Sequence, residues 1–532
     1  MKKLRALAVV LALPLALTAC SNAGGTAAGG ADGAAIIVAN NTEPENLLIP
    51  ANTNEVGGGS IIDLIYAGLY YYDKDGNPQP HMAESVDTKD SVTFTIKIKK
   101  DQKFSDGSPV TSASFVNAWN QAVKQHQLNE SWFSIIKGYN EENPTDLEGL
   151  KIVDDTTFTV ELTTPTADFP IRLGYSAFYP LPEAGIGDAE ALAAFGENPI
   201  GNGPYMVKKG SWAHKEKIEL LPNPEYKGPI AAKNGGITFK FYSSQDAAYN
   251  DLLSGQLDVL DAVPDSAFGT YEKELGDRAV NQPGAIFQSF TFPKKDTRFK
   301  GEAGKLRMQA ISMAINREEI TKTIFQGTRQ PATDFVAPVI PGHSDSLAGA
   351  EVLKYNPDKA KELWKQADAI EPWTGDLELA YNSDGGHQAW VDATMNSIKN
   401  TLGINAKGAP YADFKSLRTE INNRTVTSAF RTGWQGDYPG VSNFLEPVYM
   451  TKASANDGDY SNAEFDALLK KAASQSSVEE ANKIYAQAQE LLLKELPCIP
   501  LWYSNLTGGS AEGVKDVVFG WNTKPLLYNV TK

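Results

Sequence analysis

Cysteine and histidine are scarce in this chain of 532 residues. It contains two cysteines, Cys20 and Cys498, and five histidines. Cys20 lies in an apolar N-terminal segment with a separate use, so we expect no internal disulfide. Cys498, within L-P-C-I-P, is predicted to be a small buried hydrophobe. The histidines show no metal-ligand spacing. We therefore expect neither a metal site nor a cofactor.

Positive charge is also in short supply. Lysine and arginine number 49 against 65 acidic residues, and the formal net charge is −16 at pH 7. Nucleic-acid-binding surfaces need clusters of basic side chains, so we expect no nucleic-acid partner. A strongly acidic surface favours a soluble chain that does not self-associate, and we expect a monomer.

The motifs of common hydrolases are missing. The sequence has no H-E-x-x-H and no G-x-S-x-G, and G-H-S-D-S at residues 342–346 departs from the latter at its last position. The paired acids Asp154 and Asp155 lie in a predicted turn before a strand and are expected to be solvated. We considered a secreted hydrolase and predict that the protein is not an enzyme.

The only long apolar run lies at the N-terminus, from Ala6 to Leu17, after a short basic segment. A basic start followed by a run too short to span a bilayer is typical of an export signal, predicted here over residues 1–19. The Gly/Ala-rich residues 20–35 predict a flexible tether.

Leu17-Thr18-Ala19-Cys20 resembles a bacterial lipobox. The resemblance implies cleavage before Cys20 and lipidation of that cysteine, so that an extracytoplasmic protein is anchored to the membrane through Cys20. The alternative is an ordinary signal peptide in which the cysteine is accidental.

Beyond the tether, strand and helix patterns alternate. Residues 91–99 alternate apolar and polar side chains, which predicts a half-buried strand. An apolar helical pattern over 306–324 is interrupted at Asn316-Arg317. Asn356-Pro357 and Ser477-x-x-Glu480 are helix-start signals. This alternation predicts an α/β protein with more than one lobe.

The stretch from Ser428 to Leu445 concentrates the chemistry. It holds Arg431, Trp434, Asp437 and Tyr438 among three glycines, with Pro439-Gly440 forcing a turn. A carboxylate beside large rings is costly to desolvate unless a cation meets it, and an ammonium group from a ligand would do so. The alternative is that Asp437 only caps the turn.

Three motifs carry a resemblance to a known family. W-x-x-D-Y-P at residues 434–439, F-S-D-G-S-P-V-T at 104–111 and G-N-G-P-Y at 201–205 resemble the large oligopeptide- and dipeptide-binding receptors of ABC importers, solute-binding family 5. The resemblance implies a two-lobed periplasmic-binding-protein fold of class II, large cluster C type, with an extra subdomain in lobe 1.

The resemblance also implies a discontinuous domain order. The expected divisions are lobe 1 (part a) at 36–66, the extra subdomain of lobe 1 at 67–199, lobe 1 (part b) at 200–281, lobe 2 at 282–503, and lobe 1 (part c) at 504–532.

The family's ligand site maps onto this sequence residue by residue. Asp437 matches the aspartate that takes a peptide's α-ammonium, Trp434 lines the pocket, and Arg431 matches an arginine that meets the carboxylate of a short peptide. Gly433 lies in the same glycine-flanked segment, where another chain can approach the backbone closely.

Three further residues are weaker matches. Asn54 and Val56 match a strand whose main chain pairs with the ligand; alternatively, Gly57–Gly59 only loosens a loop before a helix at 61–66. Tyr503 matches a pocket aromatic, although packing in the core would also explain it.

The implied function is a lipid-anchored receptor that captures oligopeptides by hinge closure and delivers them to an ABC permease driven by its ATPase subunits. The alternative is the same receptor fold binding an oligosaccharide or another small solute, since Trp373, Trp390, Trp434 and Trp502 could stack on sugar rings.

Overall fold

A computed structural model describes residues 34–44, 46–383, 386–412, 414–453 and 455–532. The predicted signal, Cys20 and nearly all of the tether lie outside the described residues. Within the described part of the chain, no helix is both long and apolar enough to cross a membrane.

The strands are β1 (Ile36–Asn41), β2 (Tyr70–Tyr72), β3 (Pro78–Pro80), β4 (Ala83–Thr88), β5 (Thr93–Ile98), β6 (Leu150–Asp154), β7 (Thr157–Glu161), β8 (Tyr205–Val207), β9 (Lys217–Pro222), β10 (Gly236–Phe241), β11 (Val259–Leu260), β12 (Ala279–Thr291), β13 (Arg329–Pro331), β14 (Leu377–Asn382), β15 (Ala406–Tyr411), β16 (Ala429–Gln435) and β17 (Cys498–Ser510).

The helices are α1 (Val56–Ile65), α2 (Ser112–Lys124), α3 (Phe169–Arg172), α4 (Ala189–Glu197), α5 (Gln245–Leu253), α6 (Tyr271–Leu275), α7 (Gly301–Met313), α8 (Arg317–Thr323), α9 (Pro357–Ile370), α10 (Gln388–Leu402), α11 (Phe414–Asn422), α12 (Val441–Tyr449), α13 (Ala463–Ala473) and α14 (Val478–Glu495).

One mixed sheet runs through the whole molecule, in the order β15-β14-β16-β12-β17-β11-β1-β10-β9-β8, with β13 against β17. Its centre is the antiparallel pair β12 and β17, which stays paired from Ala279 opposite Gly509 to Thr291 opposite Cys498. The register shifts at two places, between Pro283 and Ile286 and between Gln288 and Ser289. Such bulges bend a strand pair locally, so these points are suited to a change of direction.

The central pair passes from one large hydrophobic core to another. The first is built from residues between 37 and 259 together with four from 506–530. The second is built from residues between 285 and 503 together with Trp521. We refer to the parts around these cores as the first and second lobes. The predicted two-lobed α/β fold is confirmed, and Trp521, from a segment predicted to be in lobe 1, packs into the second core.

The first lobe carries a separate four-stranded antiparallel sheet, ordered β4-β5-β7-β6. The predicted strand over 91–99 is its second member, and Phe94, Ile96 and Ile98 are buried as the alternation requires. The helix α2 packs Phe115 and Trp119 against Phe158 of β7. These rings form the core of the region predicted to be an extra subdomain.

The helix-start signals are confirmed by hydrogen bonds. Asn356 Oδ1 accepts the Lys359 N–H at 3.1 Å, and Ser477 Oγ accepts the Glu480 N–H at 3.2 Å. The break predicted at Asn316-Arg317 separates α7 from α8. Each signal works because the side-chain oxygen satisfies an amide that the first helical turn leaves without a partner.

The alternative of a loose loop over Gly57–Gly59 is wrong. These glycines lie inside α1, which begins at Val56 because both carboxylate oxygens of Glu55 accept the Gly58 N–H, at 2.8 and 2.9 Å. A Cβ at Gly57 would lie 2.5 Å from Thr42 Oγ1. Glycine is needed here for close packing of the first turn rather than for a loose loop.

Arg317 is buried in the second lobe, with 2% of its surface exposed. Its guanidinium donates to the carbonyls of Pro500, Ser312 and Leu353 and to Ser312 Oγ, at 2.7–2.9 Å. Burial lowers the pKa of Arg317 to about 9, so it is charged at neutral pH. One side chain thus ties the start of α8 to β17.

Replacing Arg317 with methionine should destabilise the protein, because three buried carbonyls would lose their donors. We expect Arg317→Met to cost about 3 kcal/mol or more, measured as a lower urea midpoint of tryptophan fluorescence. Lys322→Met, an exposed change on the same helix, serves as the control and should shift stability by less than about 0.5 kcal/mol. Equal midpoints for the two variants would contradict this role for Arg317.

Candidate ligand-binding cleft

A cavity of ≈320 Å³, here called the cleft cavity, lies between the two lobes. Its lining comes from distant parts of the chain: residues 40–41, 53–66, 71–73, 174–179, 435–437 and 520–528, with single residues from elsewhere. Clefts between lobes are common ligand sites because closing them buries a ligand on several sides.

Asp437 lies on the second-lobe wall of the cleft cavity. It follows the end of β16 and precedes α12, whose first turn contains Asn443. The Asp437 N–H donates to Asn443 Oδ1 at 2.9 Å, and Asn443 Nδ2 donates to Asp437 Oδ2 at 3.0 Å. Asn443 Oδ1 also accepts the Trp434 indole N–H at 3.1 Å. One amide therefore orients both Asp437 and Trp434.

The carboxylate of Asp437 has no cation to pair with among the described residues. Burial raises its pKa from 3.8 to about 6, and the hydrogen bond from Asn443 opposes that shift only in part. Burial and the negative charges of Asp63 and Asp437 raise the pKa of Tyr72 well above its usual value, so this ring stays neutral. A cationic group entering the cavity would relieve the cost of the buried charge.

Asn54 and Val56 line the same cavity from the first lobe. The expectation that they belong to a strand needs correction. Thr53 and Glu55 have extended dihedrals, but Val56 is the first residue of α1, because the Glu55 cap starts the helix there. Asn54 and Val56 are both exposed on the cavity wall, and the Val56 carbonyl accepts Ser60 Oγ at 2.8 Å.

Arg431, Gly433 and Trp434 line a second cavity of ≈370 Å³ within the second lobe. Arg431 Nε donates to Asn382 Oδ1 at 2.6 Å, and its guanidinium lies 5.1 Å from the centre of the Phe414 ring. Gln435 lines both cavities. The predicted site residues are thus divided between two adjoining cavities.

The strand β16 presents part of one edge beside these cavities. It pairs with β12 from Phe430 to Gln435, but with β14 only at Ala429 and Phe430. Among the described residues, no strand pairs with the other edge from Thr432 to Gln435. The strand β16 continues to Gln435 and so reaches the turn that holds Asp437.

Tyr503 does not lie on either cavity, so its prediction as a ligand-binding residue needs correction. Tyr503 is 2% exposed, and its hydroxyl donates to Asp334 Oδ1 at 2.7 Å. The ring packs against Phe287 and His343. Because β12 and β13 flank Tyr503 on both sides of β17, its ring is fixed in the second core.

Most tryptophans suggested for sugar stacking are also structural. Trp390 and Trp502 are buried and pack ring to ring with centres 5.3 Å apart. Trp373 lies 4.4 Å from the Arg298 guanidinium, away from both cavities. Of that group only Trp434 lines a cavity.

Several lining residues were missed by the sequence analysis. Tyr72 and Trp521 meet edge to face, with ring centres 5.6 Å apart, and Tyr175 and Tyr179 complete an aromatic wall. The Tyr70–Tyr72 run was a visible signal, but nothing in the sequence places it opposite Trp521. This wall forms only where three separate segments meet.

A buried network joins the lobes beside the cleft cavity. Arg172 of the first lobe contacts Asp168 and Glu446 at 3.1 Å each, and the second lobe supplies Glu446. Ser442 Oγ donates to Asp168, and the Tyr438 hydroxyl lies 3.4 Å from the same carboxylate. This inter-lobe network begins one residue after Asp437, so the cleft wall and the contact between lobes share one segment.

The fold and the cleft define a two-lobed solute-binding protein. Residues 77–456 match the family of bacterial extracellular solute-binding proteins, family 5 Middle, and the chain belongs to that family.

Relatives match along nearly the whole chain. The chain is 27% identical to the dipeptide-binding protein DppE of Bacillus subtilis (strain 168), covering 97% of this chain and 96% of the relative. It is 27% identical to the periplasmic oligopeptide-binding protein OppA of Escherichia coli (strain K12), covering 93% and 91%. The structure of the Escherichia coli murein tripeptide-binding protein MppA superposes with a TM-score of 0.75 at 23% identity, over 94% of this chain and 99% of that one, and supports the fold.

The raised pKa of Asp437 predicts a pH-dependent gain of stability when its charge is removed. The folded protein holds the proton more tightly than the unfolded chain, so the destabilising effect develops as pH rises from about 4 to 6 and is complete above that range. In ligand-free protein, prepared by unfolding and refolding, we expect Asp437→Asn to add about 2–3 kcal/mol at pH 7.5 and almost nothing at pH 4.

Calorimetric melting at the two pH values measures this effect. Asp75→Asn, which removes an exposed carboxylate outside the cavity lining, is the control and should leave the melting temperature nearly unchanged at both. The same shift for Asp437→Asn at pH 4 and 7.5 would show that its carboxylate is not desolvated.

Proposed function

We propose that the protein is the peptide receptor of an ABC importer and that Asp437 binds the peptide's α-ammonium. The observation that carries this proposal is a half-buried carboxylate on the cleft wall with a raised pKa and no ion pair in the described structure. The ammonium would supply the missing cation through charge-assisted hydrogen bonds, which are about twice as strong as neutral ones.

The free edge of β16 supports an extended ligand. From Thr432 to Gln435 it offers main-chain groups next to Asp437, and main-chain pairing is independent of ligand side chains. The names of the relatives, dipeptide- and oligopeptide-binding proteins, support the same class of ligand. Arg431 and Trp434 would then contact the ligand further along, in the second cavity.

Hinge closure would couple this binding to transport. The inter-lobe network includes Tyr438, the residue after Asp437, and β12 and β17 provide a bulged connection between lobes. A ligand that contacts both lobes favours the closed state because only that state makes all its contacts. The permease and its ATPase subunits would receive the closed receptor.

The location completes the proposal. An export signal over residues 1–19 and lipidation of Cys20 would hold a monomeric receptor at the outer face of the cytoplasmic membrane or in an extracytoplasmic compartment, with residues 20–35 as the tether. Mass measurement of the mature N-terminus would test this part separately.

Mass spectrometry of co-purifying molecules is the direct test of ligand class. The native protein and Asp437→Asn are purified side by side under gentle conditions, without unfolding. We expect peptides on the native protein and their depletion on the variant, since enclosed ligands dissociate slowly. Sugars or other solutes on both forms would instead support the alternative ligand class and leave Asp437 as a turn residue.

Peptide affinity should weaken in acid if the ammonium meets Asp437. Because free Asp437 is protonated below about pH 6, Kd should rise about tenfold for each pH unit below that value, until the lower pKa of the complex is reached. Isothermal calorimetry with tetra-alanine between pH 4.5 and 7.5 measures this. The N-acetylated peptide is the control and should bind weakly at every pH; equal binding of both peptides would exclude an ammonium site.

A further inference from the structure

A second carboxylate on the cleft cavity has no role in the scheme above. Asp261 follows β11, and Asn40 lies in β1, which pairs in parallel with both β10 and β11. Both residues line the cleft cavity. The carboxyl ends of parallel strands are where α/β sheets commonly bind ligands. Asp261 therefore lies at a ligand-facing edge of the first lobe.

Asp261 is held firmly by neutral groups. Asn40 Nδ2 donates to Asp261 Oδ1 at 2.6 Å, and the Asp261 N–H donates to Asn40 Oδ1 at 2.9 Å. Burial raises the pKa of Asp261, and hydrogen bonds from Asn40 and Gln245 oppose the shift. In the described structure no lysine or arginine forms an ion pair with it. A desolvated carboxylate fixed in this way is satisfied best by an incoming cation.

The other acids of the cleft cavity have partners within the protein. Asp63 pairs with Lys524 at 2.7 Å. Lys524 is the one lysine of the described lining, so this ion pair also neutralises the charge of that lysine. Glu55 caps α1. Asp73 accepts from the backbone and side chain of Asn77, which lower its pKa.

The basic residues of the described lining form no ion pair with Asp437 or Asp261. Burial lowers the pKa of His81 to about 3, so this residue is neutral. The described lining thus holds two carboxylates, Asp437 and Asp261, that form no ion pair and whose pKa is raised by burial. One of them is accounted for by a peptide's α-ammonium, and the other is left for a second positive group.

Aromatic rings occupy much of the remaining wall. Cations are attracted to the faces of such rings, and an aliphatic stem packs against them. A lysine or arginine side chain combines the two properties. The rings are those of Tyr66, Tyr71, Tyr72, Tyr175, Tyr179, Phe239, Trp521 and Tyr528.

We propose that the cleft cavity selects peptides that carry a basic side chain in addition to the α-ammonium, and that Asp261 binds that side chain. This selectivity rests on the proposed function, because it takes Asp437 as the ammonium site. Neutral peptides bind through Asp437 and the strand edge alone, and acidic side chains are disfavoured by the two carboxylates.

Calorimetry with matched tetrapeptides tests the selectivity. Each peptide is tetra-alanine with one lysine, or one norleucine of the same stem length, at position 2, 3 or 4. The protein is refolded free of ligand, and titrations are repeated in 0.5 M salt to screen the long-range attraction of the acidic surface. In at least one position, lysine should bind ten- to a hundredfold more tightly than norleucine.

Three variants assign the effect. Asp261→Asn keeps a side chain that Asn40 can hold; it should abolish the preference for lysine and leave norleucine affinity within twofold. Asp75→Asn, which removes an exposed charge outside the lining, should leave the preference intact. Asp437→Asn should weaken lysine and norleucine peptides alike.

Each result decides between the two proposals. Equal affinity for lysine and norleucine peptides at every position, or a lysine preference that survives Asp261→Asn, would overturn the role of Asp261 while leaving the peptide receptor intact. Failure of the native protein to bind any of the tetrapeptides would instead refute the proposed function, and this inference with it.

Discussion

The antiparallel pairing of β12 and β17 is the constraint on which the rest of the structure depends. These two long strands join a sheet that would otherwise be two, and they cross from one hydrophobic core to the other. At two register shifts, between Pro283 and Ile286 and between Gln288 and Ser289, the ladder is interrupted and the pair can bend. The cleft cavity exists because the lobes meet at this crossing instead of merging into one core.

The cleft contains a carboxylate, Asp437, that lowers the stability of the folded protein when it is charged. Asp437 is held by Asn443 and raised in pKa by burial, so the ligand-free protein carries an unfavourable carboxylate at neutral pH. Such local destabilisation is common where a protein waits for a partner, because the partner then recovers the lost free energy on binding. The inter-lobe network includes Tyr438, the residue after Asp437. Binding at Asp437 is therefore adjacent in sequence to the contact between lobes.

Local sequence signals predicted the scaffold well. Alternation over 91–99 and the cap at Asn356 work through neighbouring residues, so the fold could not easily contradict them. The start of α1 was missed because Glu55 is not among the usual N-cap residues, and because the close packing of Gly57 against Thr42 depends on the tertiary fold. The two-lobed connectivity was predictable only through the resemblance of motifs such as W-x-x-D-Y-P.

The candidate site was predictable in part, for a similar reason. Asp437 stands out by composition, since a carboxylate, rings and glycines fall within a few residues. Tyr503 and Trp502 have the same chemistry as cavity aromatics, but strands on both sides of β17 bury them. Asp261 gave no local signal; its significance comes from lining the same cavity as residues more than 170 positions away.

Asn443 has a consequence for how an extended ligand is positioned along the two cavities. This one amide contacts Asp437 on the cleft cavity and the Trp434 indole at the second cavity, which fixes the separation between the two. In the proposed complex, the amino end of the peptide is therefore held at one fixed position. The part of the wall that each later residue contacts then depends on how many residues separate it from that end. Two peptides of equal composition but different order would present different side chains to the same part of the wall. The receptor would therefore distinguish peptides by the order of their residues.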